Sequence, residues 1–413
     1  MKNVFLLPLL IGASVPALAT ELPGDKPTPS TTAKPAEPAK PKKPYTFQAG
    51  TWTMGFSGNI NSYYVYTNVD KSANVVEGNA LLTTGPKGVH SVQNGLLPTA
   101  LTFSANTVTE DSIQLGVVVS TFAGTVSNQA LAYSGVDVRQ AYMTIGKKRL
   151  GTFLLGRNFG IYGFDAIIND ISLIGVGATA LVRTPLNTTL GGIGYGYLYC
   201  DRLSQMNYTT PTFGGVALTV GVFSPLQLGT LSGRSDASAS SPSAPGFHGK
   251  LAFAKAGEKV GISLSSALIS QQVKTAVSDF TASGVDFFGK LTLGKADLAA
   301  YYYTNKGLGT TALFFDAADT TGNARKSDGF YLQGSYKFGK TKLGLNYGVS
   351  NLTRTNFDNQ LLLNQQTRFT VGLYHTLTPG LTILAEHTNM MAANNQGGKI
   401  KNNSLNIGAF LAF

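Results

Sequence analysis

The chain has little of what a soluble enzyme or a disulfide-stabilised domain needs. It contains one cysteine and four histidines in 413 residues, and only 13% of its residues are charged. A single cysteine forms no disulfide within the chain, and the histidines show no metal-ligand spacing. Nowhere does the sequence pair a nucleophile with a base at a meaningful spacing. We therefore expect no enzymatic activity, no metal and no cofactor, and Cys200 should be an inert small residue.

Long apolar runs are also scarce. The only one, Val4 to Val15, follows Lys2 and precedes Ala17-Leu18-Ala19, which is typical of a secretory signal peptide over residues 1–19. Residues 20–44 contain seven prolines and five lysines but no aromatic residue, so they predict an extended, disordered linker. No later stretch reaches the roughly 18 apolar residues of a membrane helix. If residues 45–413 lie in a membrane, they must form a β-barrel.

Strict alternation is what the sequence does have. Residues 403–413 place leucine, isoleucine, alanine and phenylalanine on one face. The same period of two runs through residues 216–223, 259–268, 330–338 and 343–349, where the second face is small or polar. A solid core would need large apolar groups on the inner face, so this pattern favours a barrel with lipid outside and water inside.

The connections between the alternating segments are short and long in turn. We count sixteen strands, the first over residues 51–67 and the last over residues 403–413. Short Gly/Lys turns on one side and long polar loops on the other are typical of outer-membrane barrels. The predicted fold is therefore all-β, a transmembrane antiparallel barrel of about sixteen strands over residues 45–413. Because the chain stops on a strand, that strand should close the barrel against the first.

One long connection is apolar and glycine-rich instead of polar. It runs from Asn158 to Cys200, and a solvated external loop would not have this composition. Residues 165–170 predict a short helical turn whose isoleucines pack on the barrel wall. Gly191 to Gly196 lacks the context of a phosphate-binding loop and favours chain packed closely near the wall. We expect the connection to fold into the lumen and narrow it.

Part of the sequence resembles the Gram-negative general porins. Val138 to Gly146 and Gly151 to Asn158 are similar to their fourth and fifth strands, which carry an Arg-x-Ala-aromatic segment and a Gly-Arg-Asn/Gln step before a constriction loop. Phe413 is similar to the porin assembly signal. The resemblance covers residues 45–413 as architecture and residues 136–210 as motif. It implies a homotrimer in outer-membrane lipid of a Gram-negative bacterium, whose last strand is read by the outer-membrane assembly machinery.

In that family, acidic residues of the loop face arginines of the wall across an eyelet, the narrowest part of the pore. By motif position the resemblance implies Asp170 as a loop acid, and Arg139 and Arg202 as wall arginines. Asp165 is a further candidate for the eyelet. Arg157 belongs to the Gly-Arg-Asn step, where its role is either in the eyelet or structural. Opposed charges across a narrow aqueous gap create a transverse field that aligns polar solutes and slows apolar ones.

The sequence also departs from the family pattern. Leu173-Ile174-Gly175 replaces the Pro-Glu-Phe of many constriction loops, and Ala100 stands where a second-strand arginine is expected, so the eyelet should be less polarised. Arg183 is a weaker eyelet candidate. Without residues 1–44, 26 basic residues stand against 18 acidic ones, a formal charge of +8. The basic residues are spread singly along the sequence. This pattern favours a channel that prefers anions and does not indicate a nucleic-acid-binding surface.

The predicted function is a porin that lets small hydrophilic solutes and ions diffuse passively, with a modest anion preference. One alternative is a substrate-selective channel for a sugar or an organic anion, with Tyr301 to Tyr303, Tyr195 and Tyr197 as a stacking track. A second alternative is a structural or surface-binding barrel with a plugged lumen. The proline-rich linker would add contact with peptidoglycan.

Overall fold

The computed structural model describes residues 45–70, 72–81, 86–126, 135–179, 188–229, 239–240, 244–257 and 259–413. The predicted signal peptide and linker, and Arg183, lie outside these residues. The elements are β1 Thr46–Ala49, β2 Trp52–Val69, β3 Gly88–Gln93, β4 Thr99–Val108, β5 Gln114–Ala123, β6 Val136–Lys147, β7 Gly151–Phe159, α1 Phe164–Asn169, β8 Arg202–Thr209, β9 Val216–Phe223, β10 Ala239–Ser240, β11 Gly246–Ala256, β12 Val260–Thr275, β13 Asp279–Leu293, β14 Ala296–Lys306, β15 Lys326–Phe338, β16 Thr341–Thr353, β17 Leu363–Thr378, β18 Leu381–Asn394 and β19 Lys399–Ala412.

The strands form one closed antiparallel barrel of sixteen, which confirms the predicted fold class. Strands β3 and β4 both pair with β2 and together act as one interrupted strand of the wall. The short strands β1 and β10 add to β2 and β12. Short turns lie at one end of the barrel, which we assign to the periplasm, and most of the long loops lie at the other. In the described part of the chain, no helix is long and apolar enough to cross a membrane.

Alternation separates the two faces of the wall. On β9, Val216, Leu218 and Val220 point outwards with exposed fractions of 40, 42 and 45%. Ala217 and Thr219 point inwards and are less exposed. Because the side-chain period of a strand is two, these alternating residues must lie on opposite faces. The outward face is therefore an apolar surface suited to lipid.

This assignment predicts opposite results for two neighbouring substitutions. Val220→Arg should destabilise the folded barrel by about 2–4 kcal/mol where it lies at the bilayer midplane, because the guanidinium would face lipid. Thr219→Arg points into the lumen, so it should change conduction and leave stability nearly unaltered. Urea unfolding in lipid vesicles measures both variants. Equal destabilisation of the two variants would contradict the inward and outward assignment of β9.

The barrel closes between β19 and β2. After the last ladder pair, Phe413 and Gly58 exchange backbone hydrogen bonds, with N–O distances of 2.9 and 3.0 Å. The Phe413 ring covers Gly58 on the outer face, where a Cβ on residue 58 would lie 2.6 Å from the ring. The missing side chain at Gly58 therefore creates the niche that holds the terminal ring.

Candidate functional site

The described parts of the long connection between β7 and β8, residues 160–179 and 188–201, lie inside the barrel. This segment, residues 160–201, is called the in-folded loop. Gly160 donates to the Asp201 carbonyl at 3.0 Å and so closes its neck. The predicted helical turn is α1, and Ile167 and Ile171 are buried. Ile171 packs against Gly344 of β16, where no side chain stands in the way.

Asp170 clamps the in-folded loop to the wall. Its carboxylate lies 3.0 Å from the Arg368 guanidinium of β17, and both side chains are fully buried. Tyr197 donates its hydroxyl proton to the same carboxylate at 2.8 Å. Arg368 also donates to the Gly177 carbonyl and to the Asn346 side chain. Charge-assisted hydrogen bonds of this kind are about twice as strong as hydrogen bonds between neutral groups. Asp170 is therefore a clamp between loop and wall, and its carboxylate does not face an open gap.

Two buried carboxylates of the wall hold other parts of the loop. Glu386 of β18 accepts the backbone N–H groups of Val176 and Gly177 at 2.9 and 2.8 Å. Asp286 of β13 accepts the N–H of Gly163, the N-cap residue of α1, at 2.7 Å. Both carboxylates also accept a tyrosine hydroxyl. The sequence does carry a signal for them, because each is an acidic residue at an inward position of an alternating strand.

Asp165 contacts the barrel wall at another place. Its carboxylate lies 3.2 Å from the Lys250 ammonium of β11, and the side chains are 19 and 17% exposed. Ser265 of β12 also donates to it, at 2.6 Å. Asp165 is thus a loop acid that faces a cation of the wall, as in an eyelet. The cation is a lysine of β11, which no motif in the sequence indicated.

Arg139 and Arg202 come together, but not opposite the loop acids. Both contact Asp137, at 3.1 and 2.8 Å, and Arg202 also lies 3.4 Å from Asp201. Arg139 is only 4% exposed and its guanidinium lies over the Phe122 ring. The cluster sits at the extracellular ends of β6 and β8. Its positive charge is largely compensated by the two aspartates.

Arg157 does not lie at the constriction. On β7 it shares a face with Phe153 and Leu155, and its ladder partner Ala141 points outwards. Its guanidinium donates to the Val138 carbonyl at 3.0 Å. The strand period places Arg157 on the outer face, which corrects its assignment to the eyelet.

The tyrosines of the predicted sugar track are covered. Tyr195, Tyr197, Tyr301 and Tyr303 are at most 2% exposed, and Tyr302 faces outwards. The Tyr301 ring stacks on Tyr331 at 5.7 Å between ring centres, beneath the in-folded loop. They form a packed core between loop and wall, so these rings present no free face to a sugar.

Two further groups of residues are accounted for by packing. Cys200 is fully buried, and burial raises the pKa of its thiol, which keeps it protonated and unreactive. The glycines Gly191 to Gly196 pack closely, and a Cβ at Gly192 would lie 2.6 Å from the Asp170 carboxylate. Within the described residues, no group of three or more histidine, cysteine or acidic side chains could hold a metal ion.

The comparisons with known proteins agree with this architecture. The family model of Gram-negative porins matches residues 11–395. The outer membrane channel DcaP of Acinetobacter baumannii is 16% identical, with a TM-score of 0.68 over 89% of this chain and 99% of that one. The anion-selective porin from Comamonas acidovorans is 13% identical, with a TM-score of 0.61 over 88% and 100%.

A third solved structure, the trimer form of OmpT, an outer membrane protein of Vibrio cholerae, is 15% identical with a TM-score of 0.52, over 88% of this chain and 100% of that chain. No protein with a curated function matches the sequence. These similarities at low identity describe the fold. The match over nearly the whole sequence identifies the chain as a member of the Gram-negative porin family, an outer-membrane channel protein.

Proposed function

We propose that this porin lets small hydrophilic solutes and ions diffuse passively, with a modest preference for anions. The observation that carries the proposal is the in-folded loop, which is pinned inside a sixteen-stranded barrel by side chains of the wall. A barrel of this size encloses more space than its own side chains fill, and a loop fixed inside narrows that space. The narrowed lumen would select solutes by size and charge.

Charge on the inner wall supports the anion preference. In the periplasmic half, the inward charged side chains of the described strands are three lysines, Lys290, Lys337 and Lys342, and two acids, Asp297 and the buried Glu386. Lys250 and Asp286 lie at mid-barrel in one ladder row and balance each other. The loop adds Asp165, which is paired with Lys250. The periplasmic half of the lumen is net positive. At about 0.15 M salt the Debye length is near 8 Å, so a field across a narrow gap persists.

The Asp165–Lys250 pair gives a direct test. Asp165→Asn should leave the ammonium uncompensated and shift the reversal potential in a KCl gradient towards chloride. Lys250→Met should shift it towards potassium, because the remaining carboxylate attracts cations. The double variant should lie close to the unmodified channel. Strong cation selectivity of the unmodified channel, or no shift in either single variant, would remove this pair from the conduction path.

An organic-anion channel is the second candidate, and the same net positive wall favours it. The described tyrosines give no comparable support for sugar selectivity, because their rings are buried. We also propose a homotrimer, since the OmpT structure is a trimer form. Cross-linking in intact membranes would show it, and a monomer band alone would refute it.

Two partners predicted from the sequence remain proposals. The assembly machinery would recognise β19 with its terminal Phe413, and the linker over residues 20–44 would contact peptidoglycan. Deleting residues 22–43 should leave channel properties unchanged and weaken retention with isolated peptidoglycan. If the deletion prevents folding, the segment is part of the barrel and not a linker.

A further inference from the structure

The periplasmic half of the lumen carries its positive charge on one wall. Lys290 lies on β13, Lys337 on β15 and Lys342 on β16, all pointing inwards. Inward positions in the same half of β2 to β9 hold serine, threonine, asparagine and small or apolar residues, with no charge among them. We call Lys290, Lys337 and Lys342 the lysine wall. It faces inward strand positions of β2 to β9 in the same half, which carry no charge.

Two of these lysines lie directly opposite each other on neighbouring strands. Lys337 and Lys342 are direct ladder partners of β15 and β16. Like charges directly opposite on a sheet repel each other and destabilise the pair. At the turn that follows, Lys340 adds a further exposed ammonium, and Lys295 of the adjacent turn accepts the Lys337 backbone N–H at 2.9 Å. The fold thus brings together lysines that are scattered in the sequence.

Few acids compensate the lysine wall. Asp297 lies 3.9 Å from Lys290, and no described carboxylate lies within ion-pair distance of Lys337 or Lys342. Glu386 lies behind Tyr374, whose hydroxyl donates to it at 2.7 Å. Lys342 lies over the same tyrosine ring, 4.8 Å from its centre, which fixes the direction of its long side chain.

The arginines of the lumen are in a different situation. Arg368 is neutralised by Asp170, and Arg325 is neutralised by Asp358, with both pairs fully buried. Arg139 and Arg202 share Asp137. The lysine wall, by contrast, is reached by solvent, since Lys290 keeps 32% of its side chain exposed and Lys337 is exposed. Among the inward strand residues, the accessible positive charge is thus on β13 to β16, while the exposed Lys147, Lys148 and Arg149 lie in the periplasmic turn between β6 and β7.

We infer that the lysine wall is a binding site for small multivalent anions, such as di- and tricarboxylates or phosphates, reached from the periplasmic mouth. The inference rests on the proposed channel function and names its solute class. A carboxylate or phosphate between Lys337 and Lys342 replaces their mutual repulsion with two charge-assisted hydrogen bonds. A monovalent chloride ion satisfies this geometry less well, because it cannot bridge ammonium groups on separate strands.

The test is block of the potassium chloride current by citrate added to one side of a planar bilayer. Insertion direction is marked by Phe357→Cys, biotinylated at the exposed extracellular loop; Cys200 is buried and stays unlabelled. Citrate on the periplasmic side should block at lower concentration than citrate on the extracellular side. Lys337→Met with Lys342→Met should raise the half-blocking concentration roughly tenfold, as expected for two partly exposed ion pairs.

A matched control removes the same charge from the other end of the barrel. Lys306 and Lys326 are direct ladder partners at the extracellular ends of β14 and β15, and both are exposed. Replacing both with methionine should leave periplasmic block unchanged. The inference would be overturned if the unmodified channel and the Lys337/Lys342 variant had the same half-blocking citrate concentration. It would also be overturned if the control variant raised that concentration as much as the Lys337/Lys342 variant does.

Titration calorimetry measures citrate binding without a current, so it tests the binding site independently of the proposed channel function. The folded protein in detergent should bind citrate more tightly than the Lys337/Lys342 variant does, even if no current is seen. A folded chain that binds citrate but does not conduct would contradict the proposed channel and leave the site standing. A conducting channel with the same citrate affinity in both forms would contradict the site alone.

Discussion

Arg368→Ala should free the in-folded loop and change the conductance more than Thr219→Arg or Asp165→Asn does. The alanine would leave the Asp170 carboxylate buried without its guanidinium, which costs about 3–5 kcal/mol. The Gly177 carbonyl and the Asn346 side chain would lose a donor as well. Single-channel recording in KCl should show a larger and noisier current, and urea unfolding should show lower stability.

A double replacement separates loss of the clamp from loss of stability. Asp170→Leu with Arg368→Met removes both charges, and a well-packed apolar pair of similar volume is often neutral or stabilising compared with a buried ion pair. This variant should recover most of the stability lost in Arg368→Ala. A current that stays the same in Arg368→Ala would show that the clamp does not hold the loop in the lumen.

Phe413→Asp should prevent the barrel from reaching the outer membrane. The substitution removes the ring from the niche over Gly58 and puts a carboxylate on the lipid-facing side of the closing seam. We expect the protein to remain in the periplasm and to be degraded by proteases there. Cell fractionation and the gel shift between folded and unfolded barrel measure this directly.

Two further variants identify what the terminal residue supplies. Phe413→Trp keeps an aromatic ring and should still assemble. Phe413→Leu keeps an apolar side chain over Gly58 without an aromatic ring, so it should assemble if packing in the niche matters and fail if the ring itself is recognised. Outer-membrane levels of Phe413→Asp equal to those of the unmodified chain would contradict the role of the terminal ring.

The sequence was sufficient to predict the wall of the barrel. Strands such as β9 and β19 follow an unbroken period of two, and this period depends only on residues close together in the chain. The in-folded loop could also be predicted, because its apolar composition is unsuited to water. The short strands β1, β3 and β10 lacked a pattern long enough to be recognised.

The partners of the loop could not be predicted in the same way. Asp170 and Arg368 are 198 residues apart, and Val176 and Glu386 are 210 residues apart. Their contact depends on strand tilt and register around a closed barrel, which no local pattern specifies. Motif position pointed to arginines of β6 and β8, whereas the structure pairs Asp165 with Lys250 and Asp170 with Arg368.

The break between β3 and β4 limits how the pore can be made wider. At this break Leu96 donates its backbone N–H to the Gly175 carbonyl of the in-folded loop at 2.8 Å, and Asn61 bonds Gly95 and Leu97 on either side. The loop therefore supplies a hydrogen-bond acceptor that a neighbouring strand would supply elsewhere. Shortening the loop around residue 175 would widen the lumen. It would also leave the backbone N–H of Leu96 without its acceptor and so open a gap in the wall between β3 and β4. An engineer who wants a larger aperture should instead trim side chains such as Ile174 and keep the backbone that seals this gap.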